Sequence, residues 1–416
     1  MIRSRVATFG VLTLLLAACG GNGAQAPQKK TELTLYNDKG AWSTFFDEMG
    51  ALSKQRIGLS MKPTGYTDSA QYQAFIKASF RTDVKPDLFT WQTGGMLEEI
   101  VKQRQVADTT ALWQAAIKAG DLSQDLAPYY TVGGKQYCVP MNVAYWGMFY
   151  NQKIFDKYGL KPPRTWDDLL KAAETLKRNG VKAFYHTSVL FSFVWFEQLM
   201  AGTDPDLYDR LSTGKAKYTD PGVVAVMERW KALIDAGYFV NPGDKTDPGD
   251  VMKNGKAAMI SFGTWFNTSM TQRGLKAGTD YGFFVIPNVN ATLPKTSMIF
   301  ESGPLCSLAK APDPDAAMKY LTWWTTAEAQ EKWATTRGDV SANPKVAIAD
   351  EALGQVTKDA GSGQYRLVNR YFEATPPPIL TAALDGFGKF VTEPATYKEV
   401  LETIQKEADE YWSTRR

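Results

Sequence analysis

The sequence predicts an α/β protein of two domains, and two observations predict it. Short apolar runs alternate with helical patterns from Glu32 to Gln103, which is the mark of parallel βαβ units. A length of 416 residues exceeds a usual single hydrophobic core, so a second domain is expected.

The elements follow in order. Glu32 to Tyr36 reads as a strand, closed by the turn residues Asn37, Asp38, Lys39 and Gly40. Ala41 to Gln55 reads as a helix, Ile57 to Lys62 as a strand and Tyr72 to Phe80 as a helix. Asp87 to Trp91 reads as a buried strand behind Pro86, and Met96 to Gln103 as a helix. Tyr137 to Pro140 leads into a further apolar strand at Tyr145 to Tyr150. Thr165 can cap a helix that runs to Arg178, with Asp168 three residues on as in a capping box, and Asn179-Gly180 stops it. Pro221 to Ala236 is helical. Ala257 to Phe262 and Tyr281 to Ile286 are strands. Pro314 to Thr325, Ala327 to Thr335 and Tyr397 to Trp412 are helices. No internal repeat is present.

The N-terminus carries a different pattern. Arg3 and Arg5 precede an uncharged, mostly apolar run from Val6 to Ala18. That run is shorter than the ~20 residues a membrane-spanning helix needs, and its flanks fit a secretory signal over 1–18. It ends in Leu16-Ala17-Ala18-Cys19, which resembles the bacterial lipobox, with Cys19 as the lipidated first mature residue. Residues 20–30 (GGNGAQAPQKK) are small and polar and read as a tether. The expected protein is exported and held to the outer face of the cytoplasmic membrane, or within a periplasm, by its lipid alone.

Composition excludes several functions. The formal net charge is +3, of which Arg3 and Arg5 supply two. Nucleic-acid binding leaves a basic footprint that this balance lacks. Beyond Cys19 there are only Cys138 and Cys306, and His186 is the one histidine. No metal site and no cofactor is expected, and a Ser-His-Asp scheme is disfavoured. Twelve Trp, nineteen Tyr and twenty-one Phe fit either core filling or ring faces in a cleft.

Several fragments, in order, are similar to the extracellular solute-binding proteins of ABC importers, in the group that takes sugars and oligosaccharides. They are Lys85–Phe89 (KPDLF), Gly134–Pro140 (GKQYCVP), Phe149–Phe155 (FYNQKIF) and Gly159–Leu169 (GLKPPRTWDDL). Asn254–Met259 (NGKAAM), Gly263-Thr264-Trp265 and Ala317–Gln330 (AMKYLTWWTTAEAQ) follow. The resemblance implies a two-lobed, periplasmic-binding-protein-like (type II) fold with hinge crossovers and a ligand cleft between the lobes. It places the first lobe at 31–138 plus 296–340 and the second at 139–295 plus 341–416. It implies a monomer that takes a small carbohydrate and works with permease subunits and their ATPase, and that is not an enzyme. It also sets the outgoing and return crossovers side by side, so Cys138 and Cys306 form either a disulfide or two buried thiols.

Ligands of such sheets collect beyond the carboxyl ends of strands. That rule nominates Asn37, Asp38 and Trp42 after the first strand, and Trp91 and Gln92 after the PDLF strand. Asp38 also suits the N-terminal dipole of a helix, and Trp91 also suits a core. The resemblance adds Asn142 and Tyr145 just after the first crossover. Trp146 must point opposite to Tyr145 if the segment is a strand, so at most one of the two faces the cleft. Trp195 lies in an aromatic stretch around His186, itself read as packed. Glu301 follows the return crossover, and its carboxylate suits sugar hydroxyls. Arg337 sits where the family carries cleft residues, or else forms a surface pair with Asp339. Trp265 is expected as a stacking platform or, alternatively, as a core residue. Competing functions are a receptor for a polyol, peptide or phosphorylated compound, a secreted glycoside hydrolase with paired carboxylates, and an adhesion lipoprotein.

Overall fold

The computed structural model describes residues 30–189 and 191–414. The proposed signal segment 1–18, the lipidation site Cys19 and the tether up to residue 29 lie outside the described residues. Strands β1 (Glu32–Asn37), β2 (Ser60–Gly65) and β3 (Leu88–Thr90) run parallel, with β1 in the middle. Leu33 and Leu35 of β1 are fully buried. The first connecting helix, Ser43–Ile57, keeps Ile57 as its last residue, and Gly58 closes it in the left-handed region at φ 72°. The strand expected from Ile57 therefore begins only at Ser60, because glycine supplies the helix stop that a β-branched residue hides in the sequence.

After a hairpin of β4 (Thr131–Val132) and β5 (Lys135–Gln136), turned by Gly133 and Gly134 at positive φ, comes the longest strand. This is β6 (Val139–Asn151), buried at all 13 positions. It is followed by β7 (Met259–Gly263), β8 (Tyr281–Phe284), β9 (Thr296–Ser307) and β10 (Tyr365–Asn369). The first half of β6 pairs with β9, and the second half pairs with β7 and β8. In turn β9 meets β10 at Thr296–Phe300, β6 at its middle and β3 at Leu305–Ser307.

The sheet is mixed rather than wholly parallel. Its parallel parts are β2-β1-β3 and the β9-β10 pair, while β9 runs against both β3 and β6. Helices Ser43–Ile57, Pro314–Trp324 and Ala327–Arg337 pack together beside β1–β3. A second group packs together, with Val194–Thr203 on β9, Pro205–Ser212 and Pro221–Asp235, and Pro377–Thr392 on Tyr397–Ser413. The result is two lobes threaded by the long strands β6 and β9.

Of the two readings of the cysteines, the structure realises the bond. Cys138 and Cys306 are fully buried and joined by a disulfide with Cα atoms 4.2 Å apart. The bond lies where β6 starts and β9 ends, and so ties the outgoing crossover to the return crossover. Thr165 accepts from the Asp168 N–H at 3.1 Å, as a cap should. Among the described residues no helix is long and apolar enough to cross a membrane.

Candidate functional site

Two parallel strands, β1 and β3, end side by side, with Tyr36 in register with Phe89. The loops that follow them therefore meet. Asp38 carries the junction: its Oδ1 accepts from Thr90 Oγ1 at 2.7 Å, and its Oδ2 accepts from Gln92 Nε2 at 3.2 Å and Lys39 Nζ at 3.1 Å. Asn37 is fully buried and spends its amide on this loop, donating to the Thr64 carbonyl and accepting from the Lys39 N–H. Trp42, half-buried, lies over the Arg337 guanidinium, whose carbon is 3.7 Å from the ring centroid.

The other wall is aromatic. Strand β7 ends at Gly263, in register with Trp146 of β6. This brings Trp265 to 5.8 Å from Trp146, edge to face, and to 5.8 Å from Phe191, stacked at 29°. Trp265 and Phe191 are half-buried, whereas Trp146 is buried. A Cβ on Gly263 would come within 2.4 Å of the Trp265 ring, so this approach needs a glycine.

A charged cluster lies beside Trp146. Glu301 on β9 accepts from Trp146 Nε1 at 2.9 Å and pairs with Arg370. Arg370 forks onto Glu373 through Nε and Nη2. Burial works against the Arg370 charge, but Glu301 and Glu373 outweigh it and hold its pKa above the ordinary value. Glu197 is fully buried nearby and accepts from the Tyr371 N–H at 2.8 Å, while its second oxygen has no partner. Burial raises its pKa well above the ordinary carboxylate value. Glu301 also acts on Arg337 and Asp339, and Lys39 acts on Glu373. Arg337 under Trp42 lies beside Asp339, and Asp339 accepts from Thr264, the neighbour of Trp265, so the β1 loop and the β7 loop are linked through these groups.

Not every nominated residue belongs to this linked set. Trp91 is core: it is 2% exposed and donates to the Met96 carbonyl. Trp195 is likewise 2% exposed, donates to the Tyr185 carbonyl and packs on Phe184 and Phe239. Asn142 is buried within the β6–β9 ladder against Gly303. Tyr145 turns to Phe300, and burial raises its pKa. Of the two alternating residues it is Trp146 that joins Glu301 and Trp265. Arg337 is 2% exposed and Asp339 3% exposed, so their pair is a buried one under Trp42 and not a surface pair. His186 is packed as read: it stacks on Phe239, bonds the Val240 carbonyl at 2.8 Å, and burial lowers its pKa to about 4.

Asp38, Trp42, Gln92, Trp265 and Glu301 are brought together, with Arg337 behind them. Lys39, Phe191, Arg370 and Glu373 belong to the same region and were not nominated. Phe191 lay in the aromatic stretch already noted, but Arg370 and Glu373 carry no motif. Among the described residues no group of His, Cys, Asp and Glu is arranged to hold a metal ion.

The model of a family described as bacterial extracellular solute-binding protein matches residues 49–361. An uncharacterized ABC transporter extracellular-binding protein of Pyrococcus horikoshii is 25% identical over 94% of this chain and 91% of its own length. A protein of Streptococcus mutans named multiple sugar-binding protein is 24% identical over 78% of each chain. Among solved structures, a chitin oligosaccharide binding protein superposes with a TM-score of 0.77 at 19% identity, over 92% of this chain and 99% of that one.

Proposed function

The chain belongs to the bacterial extracellular solute-binding proteins, and from that premise we propose that it captures a neutral sugar or oligosaccharide and delivers it to an ABC importer. The observation that carries this reading is the make-up of the cleft. Half-buried ring faces of Trp42, Trp265 and Phe191 stand beside charges already matched within the chain: Lys39 with Asp38, Arg337 with Asp339, Arg370 with Glu301 and Glu373. A pyranose offers apolar C–H faces to rings and hydroxyls to fixed acceptors, and it needs no spare charge. The relatives named for sugars support the same solute class. A phosphorylated compound or a peptide would call for unpaired cationic or anionic partners, which this set does not offer.

The lobes, 31–138 plus 296–340 and 139–295 plus 341–416, close over the solute by bending where β6 and β9 cross. Closure follows from tighter binding to the closed state than to the open one. The signal 1–18 directs export, Cys19 carries the lipid, and residues 20–30 tether a monomer beside its permease and ATPase. The task is capture and release, with no bond broken. A thermal-shift screen of the chain from Lys30 onward, against neutral mono- and oligosaccharides beside sugar phosphates and short peptides, tests the solute class. A neutral sugar at a hundredfold its dissociation constant adds roughly 2.7 kcal/mol of stability. Stabilisation by a sugar phosphate or peptide alone overturns the reading.

A further inference from the structure

The two tryptophan platforms are joined through the interior. Helix Ala327–Arg337 ends at Gly338, in the left-handed conformation, and the chain then places Asp339 beside Arg337. The Arg337 guanidinium stacks under Trp42 at 3.7 Å and faces Trp333 at 5.1 Å, and its Nη2 lies 3.2 Å from Asp339 Oδ2. The other Asp339 oxygen accepts from Thr264 Oγ1 at 2.9 Å, and Thr264 is the neighbour of Trp265 in the chain. Two further bonds run alongside: Asn267 Nδ2 donates to the Gly338 carbonyl at 2.8 Å, and Thr268 Oγ1 donates to the Arg337 carbonyl. Arg337, Asp339 and Thr264 are all at least 97% buried, so none of them touches a solute held in the cleft.

We infer that Arg337, Asp339 and Thr264 are positioning residues, a buried strut across the junction of the two lobes that sets the Trp42 ring against the Trp265 ring in the arrangement described. This rests on the cleft between those rings being the solute site. A buried ion pair of this kind adds little stability over an apolar filling, but losing one partner leaves a charge uncompensated. Its use is then geometric. A planar guanidinium holds one ring by stacking, and a carboxylate with two oxygens passes that orientation to the hydroxyl beside the other ring. The spacing of the two platforms, and hence the length of solute they select, depends on residues that make no contact with it.

The test uses the chain from Lys30 onward labelled with 5-fluorotryptophan, with the Trp42 and Trp265 fluorine resonances assigned from Trp42→Phe and Trp265→Phe. Arg337→Lys keeps the charge but removes the stacked plane, and it is expected to shift the Trp265 resonance as well as that of Trp42. Thr264→Val, in the second lobe, is expected to shift the Trp42 resonance as well as that of Trp265. If Arg337→Lys fails to fold, Thr264→Val decides alone. Shifts confined in each variant to the neighbouring ring overturn the strut. No sugar is present in this measurement, so its outcome is separate from that of the solute screen.

Discussion

The Trp146 indole donates to Glu301 Oε2 at 2.9 Å, across the strand pair in which Ala144 is the register partner of Glu301. That oxygen also takes the Arg370 ion pair, so both partners hold the same side of the carboxylate. Glu301 is thereby held in place on β9, the return strand between the lobes.

Replacing Glu301 by glutamine removes the charge that Arg370 uses and that the proposed solute hydroxyls would use. A hydrogen bond to a charged group is worth about 1.5–3 kcal/mol, so Glu301→Gln is expected to weaken sugar binding by about 10- to 100-fold in calorimetric titration. Melting of the apo protein should fall as well, because Arg370 loses one of its two carboxylate partners.

Trp265→Ala separates platform from core. The ring is half-buried and stacked on Phe191, so affinity should drop by about 2–4 kcal/mol, the scale of a binding hot spot. Apo stability should fall by less than the roughly 3–5 kcal/mol of a fully buried tryptophan. Trp195→Ala should do the reverse, since that ring is core.

Glu197 gives a pH signature. Its native pKa is raised by burial, so the folded state keeps a proton that the unfolded chain releases. Stability from this group is present below the ordinary carboxylate pKa and is lost as pH rises toward the native value. Glu197→Gln, neutral throughout, should melt higher than the parent at pH 8, with the difference closing toward pH 4.5.

His186 works in the opposite direction. Its pKa falls from 6.5 to about 4, so the unfolded state takes up a proton first. Stability is full above pH 6.5 and declines as pH falls toward 4, by an amount on the order of 3 kcal/mol. His186→Gln should flatten that part of the melting-temperature profile.

The Cys138–Cys306 bond closes a loop across 168 residues. Alkylation under denaturing, non-reducing conditions should leave both thiols unmodified. The double Cys→Ser variant should lose about 2–5 kcal/mol of stability.

The parts legible in the sequence were those set by local rules. The strand-end loops at Asp38, Gln92 and Trp265 followed from βα alternation, and the Thr165 cap from three residues. Side-chain direction was not legible: Trp91 and Trp195 share the residue type of Trp42 and Trp265, and only packing sends the first two inward. The Arg370–Glu373 fork escaped because its partner Glu301 is some 70 positions earlier in the chain, and long-range ion pairs leave no periodic mark. The sense of β9 escaped for a like reason, since pairing direction depends on the path taken through the second lobe.

The most direct test of the account is calorimetric titration of the chain from Lys30 onward with a neutral oligosaccharide identified by the thermal screen, in the parent and in a Trp42→Ala, Trp265→Ala double variant. The account predicts saturable one-to-one binding by the parent and loss of at least 100-fold in affinity by a double variant that still melts cooperatively. Undiminished affinity in the folded double variant would contradict it and would place the solute elsewhere than between the two rings.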